Sequence, residues 1–171
     1  MRKAIIGIMG PGSGASPTDL QNAETLGLLI ADMGWALLTG GRREGVMHFA
    51  SKGAHERGGL VVGILPSDDD THTSEYVDIS VKTGMGSARN YINVLTSDVV
   101  IACGMGAGTA SEVALALRGG KNVILLTDSD EAQTFFKGLR PDLVQIAGSP
   151  EEAIELTKKL LAVPQIFHKK M

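Results

Sequence analysis

The sequence contains a single cysteine, Cys103, among 171 residues. One thiol excludes an intrachain disulfide and a zinc cluster built from cysteines. The chain also has no run of lysine and arginine, and its formal net charge is −3. It therefore lacks the basic footprint of proteins that bind duplex nucleic acid or anionic membranes, although a local anion site is compatible with this composition.

Long apolar segments are missing as well. No stretch approaches the roughly 18 apolar residues of a membrane span. The apolar run over residues 4–9 is interrupted by Gly7 and is too short for a signal peptide. We therefore expect a cytoplasmic protein without a nucleic-acid or membrane partner. The length predicts a single domain over residues 1–171, with a tail over about 163–171.

Glycine, in contrast, is abundant and clustered. Four groups of the 22 glycines lie in residues 10–14, 40–41, 84–86 and 104–108, and each follows a β-like run or opens a helix-like one. Glycine lets backbone N–H groups approach a phosphate closely, and a helix N-terminus adds partial positive charge. We expect the functional site at these clusters.

Short apolar runs alternate with segments of helical periodicity. The predicted strands cover residues 3–9, 35–39, 60–65, 77–81, 98–103, 122–127 and 142–146. The predicted helices include one capped by Thr18 and Gln21, one with its buried face over 46–54, and others over 87–96, 109–117, 131–137 and from the Ser149 cap to 162, with a surface loop at 67–74. This alternation predicts a doubly wound α/β fold, with helices on both faces of a mostly parallel sheet.

In the commonest strand order of such sheets, 3-2-1-4-5-6, ligands bind where the order reverses. Two glycine clusters follow the strands that flank this point if 98–103 is the fourth main strand. The sequence therefore predicts a phosphate-bearing, anionic small-molecule ligand. The candidate binding residues are Gly10, Pro11, Gly12, Ser13, Gly40, Gly41, Arg42, Arg89, Gly104, Gly106, Gly108, Thr109 and Glu112.

Three arginines near these clusters are candidates for holding an anion. Arg89 lies in the first turn of a predicted helix, where the helix dipole disfavours a cation unless an anion is also present. Covering apolar surface with its stem is the alternative role. Arg42 and Arg43 follow the second strand, and we expect one to reach the ligand and the other to remain solvated.

Glu112 has two interpretations that spacing alone leaves open. It lies three residues after Thr109, so it could close a capping box on its own helix. It could instead be a carboxylate beside the phosphate loop that polarises water or stabilises a cationic transition state. The helix over 109–117 is apolar nearly all round, which favours a homo-oligomer, a dimer or tetramer, over burial within one chain.

The remaining candidate ligating residues favour structural roles. His48 and His55 are seven residues apart, too far to chelate one ion, and no cysteine or HExxH pattern accompanies them. The acidic run 68–70 is typical of a solvated loop. Cys103 ends a buried strand and is expected to pack in the core. We predict no metal ion ligated by protein side chains.

Several motifs carry a family resemblance. Residues 104–112 resemble the PGGxGTxxE motif of the LOG-like proteins, once labelled lysine decarboxylases, and residues 38–42 with 45–47 resemble their GGGxxGLMG stretch. Gly104, Met105 and Asn90 depart from that pattern and bring the chain closer to the molybdenum cofactor carrier proteins. That branch combines GxMGPG, LLTGGR with GVMH, GSAR and GMGxGTxxEVALAL. These motifs stand here at residues 7–12, 37–42 with 45–48, 86–89 and 104–117.

The resemblance extends over residues 5–161 and implies a Rossmann-like fold. Its leading functional implication is a carrier or store of the molybdenum cofactor that acts without turnover. The alternative is a phosphoribohydrolase that cleaves the N-glycosidic bond of nucleoside 5′-monophosphates. In LOG enzymes an arginine and a glutamate perform that reaction, and Arg89 and Glu112 match them. A nucleotide-sensing module is a third possibility.

Overall fold

Seven strands form one parallel sheet in the computed structural model, which describes residues 2–163. The strands are β1 (Ile5–Met9), β2 (Ala36–Thr39), β3 (Leu60–Leu65), β4 (Ile79–Lys82), β5 (Val99–Cys103), β6 (Asn122–Leu126) and β7 (Val144–Ile146). Their spatial order is β4-β3-β2-β1-β5-β6-β7, and every neighbouring pair is parallel. All five residues of β5 are buried, as expected for a central strand covered on both faces.

Helices cover both faces of the sheet. They are α1 (Pro17–Asp32), α2 (Gly45–Glu56), a 3-10 helix (Gly86–Arg89), α3 (Asn90–Thr96), α4 (Ala107–Arg118), α5 (Asp130–Leu139) and α6 (Pro150–Ala162). Apolar residues of α1, α2 and α6 build the core on one face, and those of α3, α4 and α5 build it on the other. None of the helices among residues 2–163 is both long and apolar enough to cross a membrane.

The order of strands confirms the predicted doubly wound fold. Without β4, the remaining strands follow the expected 3-2-1-4-5-6 pattern, and the direction reverses between β1 and β5. The strand predicted at 77–81 is the exposed edge strand β4, which pairs only with β3 among the described residues. The predicted tail lies outside the described residues, apart from Val163.

The first helix begins earlier than predicted. Pro17 occupies its first turn and Ser16 is the N-cap, whose hydroxyl accepts a hydrogen bond from the Asp19 N–H at 3.1 Å. The Asp19 carboxylate accepts one from the Ser16 N–H at 2.9 Å, which completes a capping box. The predicted cap of Thr18 and Gln21 is therefore wrong, because Thr18 already lies inside the helix. The predicted Ser149 cap of α6 is confirmed.

The loop over 67–74 lies at the surface, as predicted, but it is tied to the end of β2. The Arg43 N–H donates to the His72 carbonyl at 2.8 Å, and the Ser74 N–H donates to the Gly41 carbonyl at 2.9 Å. An isolated antiparallel bridge joins Arg42 to Thr73. These bonds hold the loop against the segment that leads from β2 into α2.

Candidate functional site

A cleft of about 470 Å³ opens at the carboxyl ends of β1, β2 and β5, where the strand order reverses. Its walls come from the loops after β1 and β2, the 3-10 helix, and the beginning of α3 and α4. The residues that line it are Ile8, Met9, Gly10, Pro11, Gly12, Ser13, Gly14, Gly40, Arg42, Glu44, Met47, Ser87, Arg89, Asn90, Gly106, Ala107, Gly108, Thr109 and Glu112. The cleft thus occupies the position that the strand pattern predicts for a ligand site.

All but two of the candidate binding residues line this cleft. The exceptions are Gly41 and Gly104, which have φ angles of +74° and +75°. Both adopt the left-handed conformation that glycine accepts without strain. A Cβ at Gly104 would also lie 2.6 Å from the Asp19 carboxyl carbon. These two glycines therefore shape the turns that follow β2 and β5.

Arg89 is a buried cation in the wall of the cleft. Arg89 is only 8% exposed, and its buried Nε has no hydrogen-bond partner in the part of the chain that the structure describes. None of the ion pairs among residues 2–163 includes it. Burial lowers the pKa of Arg89, Glu112 partly opposes that effect, and Arg42 adds to it. A buried guanidinium without an ion pair is costly, so this position is suited to an anion from outside the chain.

Gly40 makes room for this guanidinium. A Cβ at Gly40 would overlap an Arg89 terminal nitrogen and the Met47 sulfur. The missing side chain at Gly40 therefore leaves room for the Arg89 guanidinium at the cleft.

The N-terminus of α4 presents further unpaired donors. Its N-cap is Gly106, which has no side chain to accept from the first-turn N–H groups. The Thr109 hydroxyl is buried there without a hydrogen-bond partner. Since Gly106, Gly108 and Thr109 all line the cleft, the partial positive charge of the helix end lies at the same cavity as Arg89.

Glu112 does not cap its own helix. The helix begins at Ala107, so Thr109 is already inside it and the capping-box interpretation is wrong. The Glu112 side chain accepts a hydrogen bond from Asn93 Nδ2 at 2.9 Å. Glu112 is only 7% exposed. Asn93 was not among the predicted site residues. Its signal was the spacing of four from Arg89, which places both near one helical face.

Burial raises the pKa of the Glu112 carboxyl above its ordinary value of 4.5, against the opposing effects of Asn93 and Arg89. Ionised Glu112 therefore destabilises the fold above its raised pKa, and this penalty disappears as the pH falls to 4.5 and below. Glu112→Gln should therefore raise the free energy of unfolding at pH 7, because glutamine carries no charge that burial would penalise. Urea denaturation should show that advantage shrinking on acidification. An advantage that grows towards pH 4.5 would contradict this explanation.

The two arginines that follow β2 lie in different surroundings. Arg42 lines the cleft, and its guanidinium lies 3.4 Å from the Glu44 carboxylate. Arg43 is exposed and pairs with Glu75 at 2.9 Å, outside this cleft. Arg42 therefore faces the cleft and Arg43 faces solvent, and contact of Arg42 with a ligand stays a prediction.

Several residues of the cleft were not among the predicted binding residues. They are Ile8, Met9, Gly14, Glu44, Met47, Ser87, Asn90 and Ala107. Most flank a predicted glycine or arginine, so widening each motif by two or three residues would have included them. Glu44 and Met47 have no such signal except their proximity to Arg42, because they enter the cleft through the start of α2.

His48, His55 and Cys103 are not among the residues that line the cleft. His48 Nδ1 lies 3.0 Å from the Ser74 hydroxyl, and the rings of His48 and His55 pack beside Tyr76. Within residues 2–163, no group of three His, Cys, Asp or Glu side chains is arranged to hold a metal ion. Cys103 is buried, its thiol donates to the Asp19 carbonyl at 3.4 Å, and burial raises its pKa to about 12.

Comparison with known proteins places these features in a family. A sequence profile of the SLOG cluster4 family matches residues 3–154. The chain belongs to the SLOG cluster4 family. An uncharacterised protein of Archaeoglobus fulgidus is 40% identical over 154 residues, which cover 90% of this chain and 94% of that protein.

Solved structures related to this SLOG chain extend the comparison. The molybdenum cofactor binding protein of the phototrophic bacterium Rippkaea orientalis is 59% identical, with a TM-score of 0.93 over 94% of this chain and 99% of that one. The molybdenum cofactor (Moco) carrier protein of Chlamydomonas reinhardtii is 52% identical. Its TM-score is 0.90 over 94% of this chain and 99% of that one. The resemblance to the molybdenum cofactor carrier branch is thereby confirmed.

Proposed function

We propose that this protein binds the molybdenum cofactor as cargo and carries or stores it without converting it. The observation that carries the proposal is the convergence of unpaired donors in one cleft. These are the buried Arg89 guanidinium, the Thr109 hydroxyl and the open N-terminus of α4. The similarity to cofactor-binding relatives over nearly the whole chain supports the identity of the cargo.

The chemistry of the cargo suits these donors. The molybdenum cofactor is a pterin with a terminal phosphate and a dithiolene that holds the metal, and it is anionic and easily oxidised. Arg89 and the first-turn N–H groups of α4 would bind the phosphate. The dithiolene supplies sulfur ligands to the metal, so the cargo requires no ligand from the protein. The cleft walls would shelter the remainder from water and oxygen.

Anaerobic loading tests this function directly. Purified protein would be incubated with free molybdenum cofactor, passed through a desalting column, and assayed for molybdenum by mass spectrometry and for pterin by fluorescence after oxidation. We expect both to elute with the protein in equal amounts. Elution of neither above the level of an unrelated protein would refute the carrier function.

Hydrolysis of nucleoside 5′-monophosphates is the second candidate, because Arg89 and Glu112 line the same cleft. In that reaction Arg89 would hold the phosphate and the Glu112 carboxylate would stabilise the cationic sugar or polarise water. Chromatography of AMP incubated with the protein should show no release of adenine if the carrier proposal is right. Release that Glu112→Ala abolishes would establish the enzyme instead.

Association of two or four copies belongs to the same proposal. Tyr91 and Leu95 of α3 are 42% and 46% exposed, and α3 packs beside α4. On α4, Val113 and Ala116 are buried against the chain, whereas Ala114 is exposed. This exposed apolar surface supports a contact with a second copy, because burying it would remove apolar area from water.

A further inference from the structure

Besides Glu112, which accepts a hydrogen bond from Asn93, a second carboxylate lies in the cleft among groups that otherwise attract anions. Glu44 precedes α2, lines the same cavity as Arg89 and has a side chain that is 33% exposed. Its nearest cation is Arg42, at 3.4 Å. Among the hydrogen bonds of the described residues, none is accepted by the Glu44 carboxylate, so its lone pairs are available to a ligand. The Glu44 carboxylate would repel a phosphate, so it is suited to a different part of the cargo.

The strand order places Glu44 and the N-terminus of α4 on opposite sides of the loop after β1. Glu44 follows β2, α4 follows β5, and the loop after β1 lies between them because β1 separates the two strands. The carboxylate rests against Gly12 of that loop. A Cβ at Gly12 would lie 2.9 Å from the Glu44 carboxyl carbon and within 3.2 Å of both of its oxygens. The glycine therefore leaves this position free for the carboxylate.

We propose that Glu44 recognises the amino-pyrimidinone edge of the pterin, an inference that rests on the proposed cargo. This edge carries an amino group beside a ring N–H, two donors that point in the same direction. A carboxylate accepts only, and its two oxygens match such a pair in the way they match an arginine fork. With the phosphate held by Arg89 and α4, this contact sets the orientation of the cargo in the cleft. Guanine carries the same edge.

A purely electrostatic role for Glu44 predicts the opposite outcome. If Glu44 only balances Arg42 and the N-terminus of α2, it lowers the affinity of the cleft for every phosphate ligand alike. Glu44→Gln would then strengthen binding of all such ligands. If Glu44 recognises the donor pair, the same substitution selectively weakens ligands that carry it, because glutamine offers only one acceptor oxygen.

Guanosine and inosine 5′-monophosphates distinguish these roles, since they differ only in the 2-amino group. We expect isothermal titration calorimetry to show at least about tenfold tighter binding of the guanosine compound to the wild-type protein. Glu44→Gln should remove that preference while leaving inosine monophosphate binding within about threefold. Glu75→Gln is the matched control, because Glu75 pairs with Arg43 outside the cleft. It should preserve the preference.

Three results would overturn the assignment of Glu44. They are equal binding of the two nucleotides by the wild-type protein, no binding of either, and a uniform gain of affinity in Glu44→Gln. Loading with the molybdenum cofactor is measured separately. Loss of guanosine preference in Glu44→Gln, in a protein that does not retain the cofactor, would support the recognition and refute the carrier function. Normal cofactor loading by a wild-type protein without any guanosine preference would support the carrier function and refute the assignment of Glu44.

Discussion

Replacing Arg89 with methionine should reduce binding of the molybdenum cofactor about 100-fold or more while leaving the empty protein at least as stable as wild type. The two effects have opposite signs because Arg89 is only 8% exposed and its buried Nε has no hydrogen-bond partner within residues 2–163. Methionine has a similar length and no charge, so it fills the space without the desolvation cost. Glu112, left without this cation, can take up a proton because its pKa is already raised.

The measurement pairs cofactor retention on a desalting column with urea denaturation of the empty protein. Arg57→Met is the matched control, because Arg57 follows α2, is exposed and pairs with Asp32 at 3.7 Å, away from the cleft. It should change the free energy of unfolding by less than about 1 kcal/mol and leave binding unaffected. A destabilised Arg89→Met protein that still retains the cofactor would show that Arg89 has a structural role only.

The second large effect is expected at Gly27, where α1 and α2 touch through their backbones. A Cβ at Gly27 would overlap the Ala50 carbonyl oxygen and lie 2.8 Å from the Ala54 nitrogen. Gly53 of α2 meets the Glu24 carbonyl of α1 in the same way. Since backbone atoms cannot rotate aside, Gly27→Ala must push the helices apart. We expect it to lower the free energy of unfolding by about 2 kcal/mol or more, despite the gain in helix propensity.

Gly138→Ala isolates the propensity effect from the steric one. Gly138 lies within α5, and a Cβ added there would have no atom within 4 Å. The same substitution should therefore raise the free energy of unfolding by up to about 1 kcal/mol. Chemical denaturation of both variants gives the comparison. If Gly27→Ala also stabilised the protein, the close contact between α1 and α2 could not be an important constraint.

Local sequence patterns did not locate the N-caps of α1 and α4. Thr18 with Gln21 and Thr109 with Glu112 both match a capping box, yet the helices begin before each threonine. In α1 the better cap was present nearby, because Ser16 and Asp19 make the reciprocal bonds with Pro17 between them. In α4 the N-cap is a glycine, which no side-chain capping pattern identifies.

The site could be predicted in outline because most of its parts follow strands directly. The turns after β1, β2 and β5 are short, so glycines and arginines in those turns necessarily lie at one edge of the sheet. Asn93 and Glu44 escaped prediction for a different reason. Each lies within four residues of a predicted arginine, but the contacts of Asn93 with Glu112 and of Glu44 with Gly12 join segments far apart in the chain.

The sequence by itself determined the alternation of strands and helices and the glycine-rich loops that form the cleft. These features follow from periodicity and from glycine, which act within a few residues. Only the tertiary structure decided that the sheet reverses between β1 and β5 and that Arg89 has no ion-pair partner within residues 2–163. It also decided that Glu112 pairs with Asn93 and that the helices α1 and α2 touch at Gly27. Those facts depend on contacts between segments far apart in the chain, whose distances and burial arise only when the sheet brings them together.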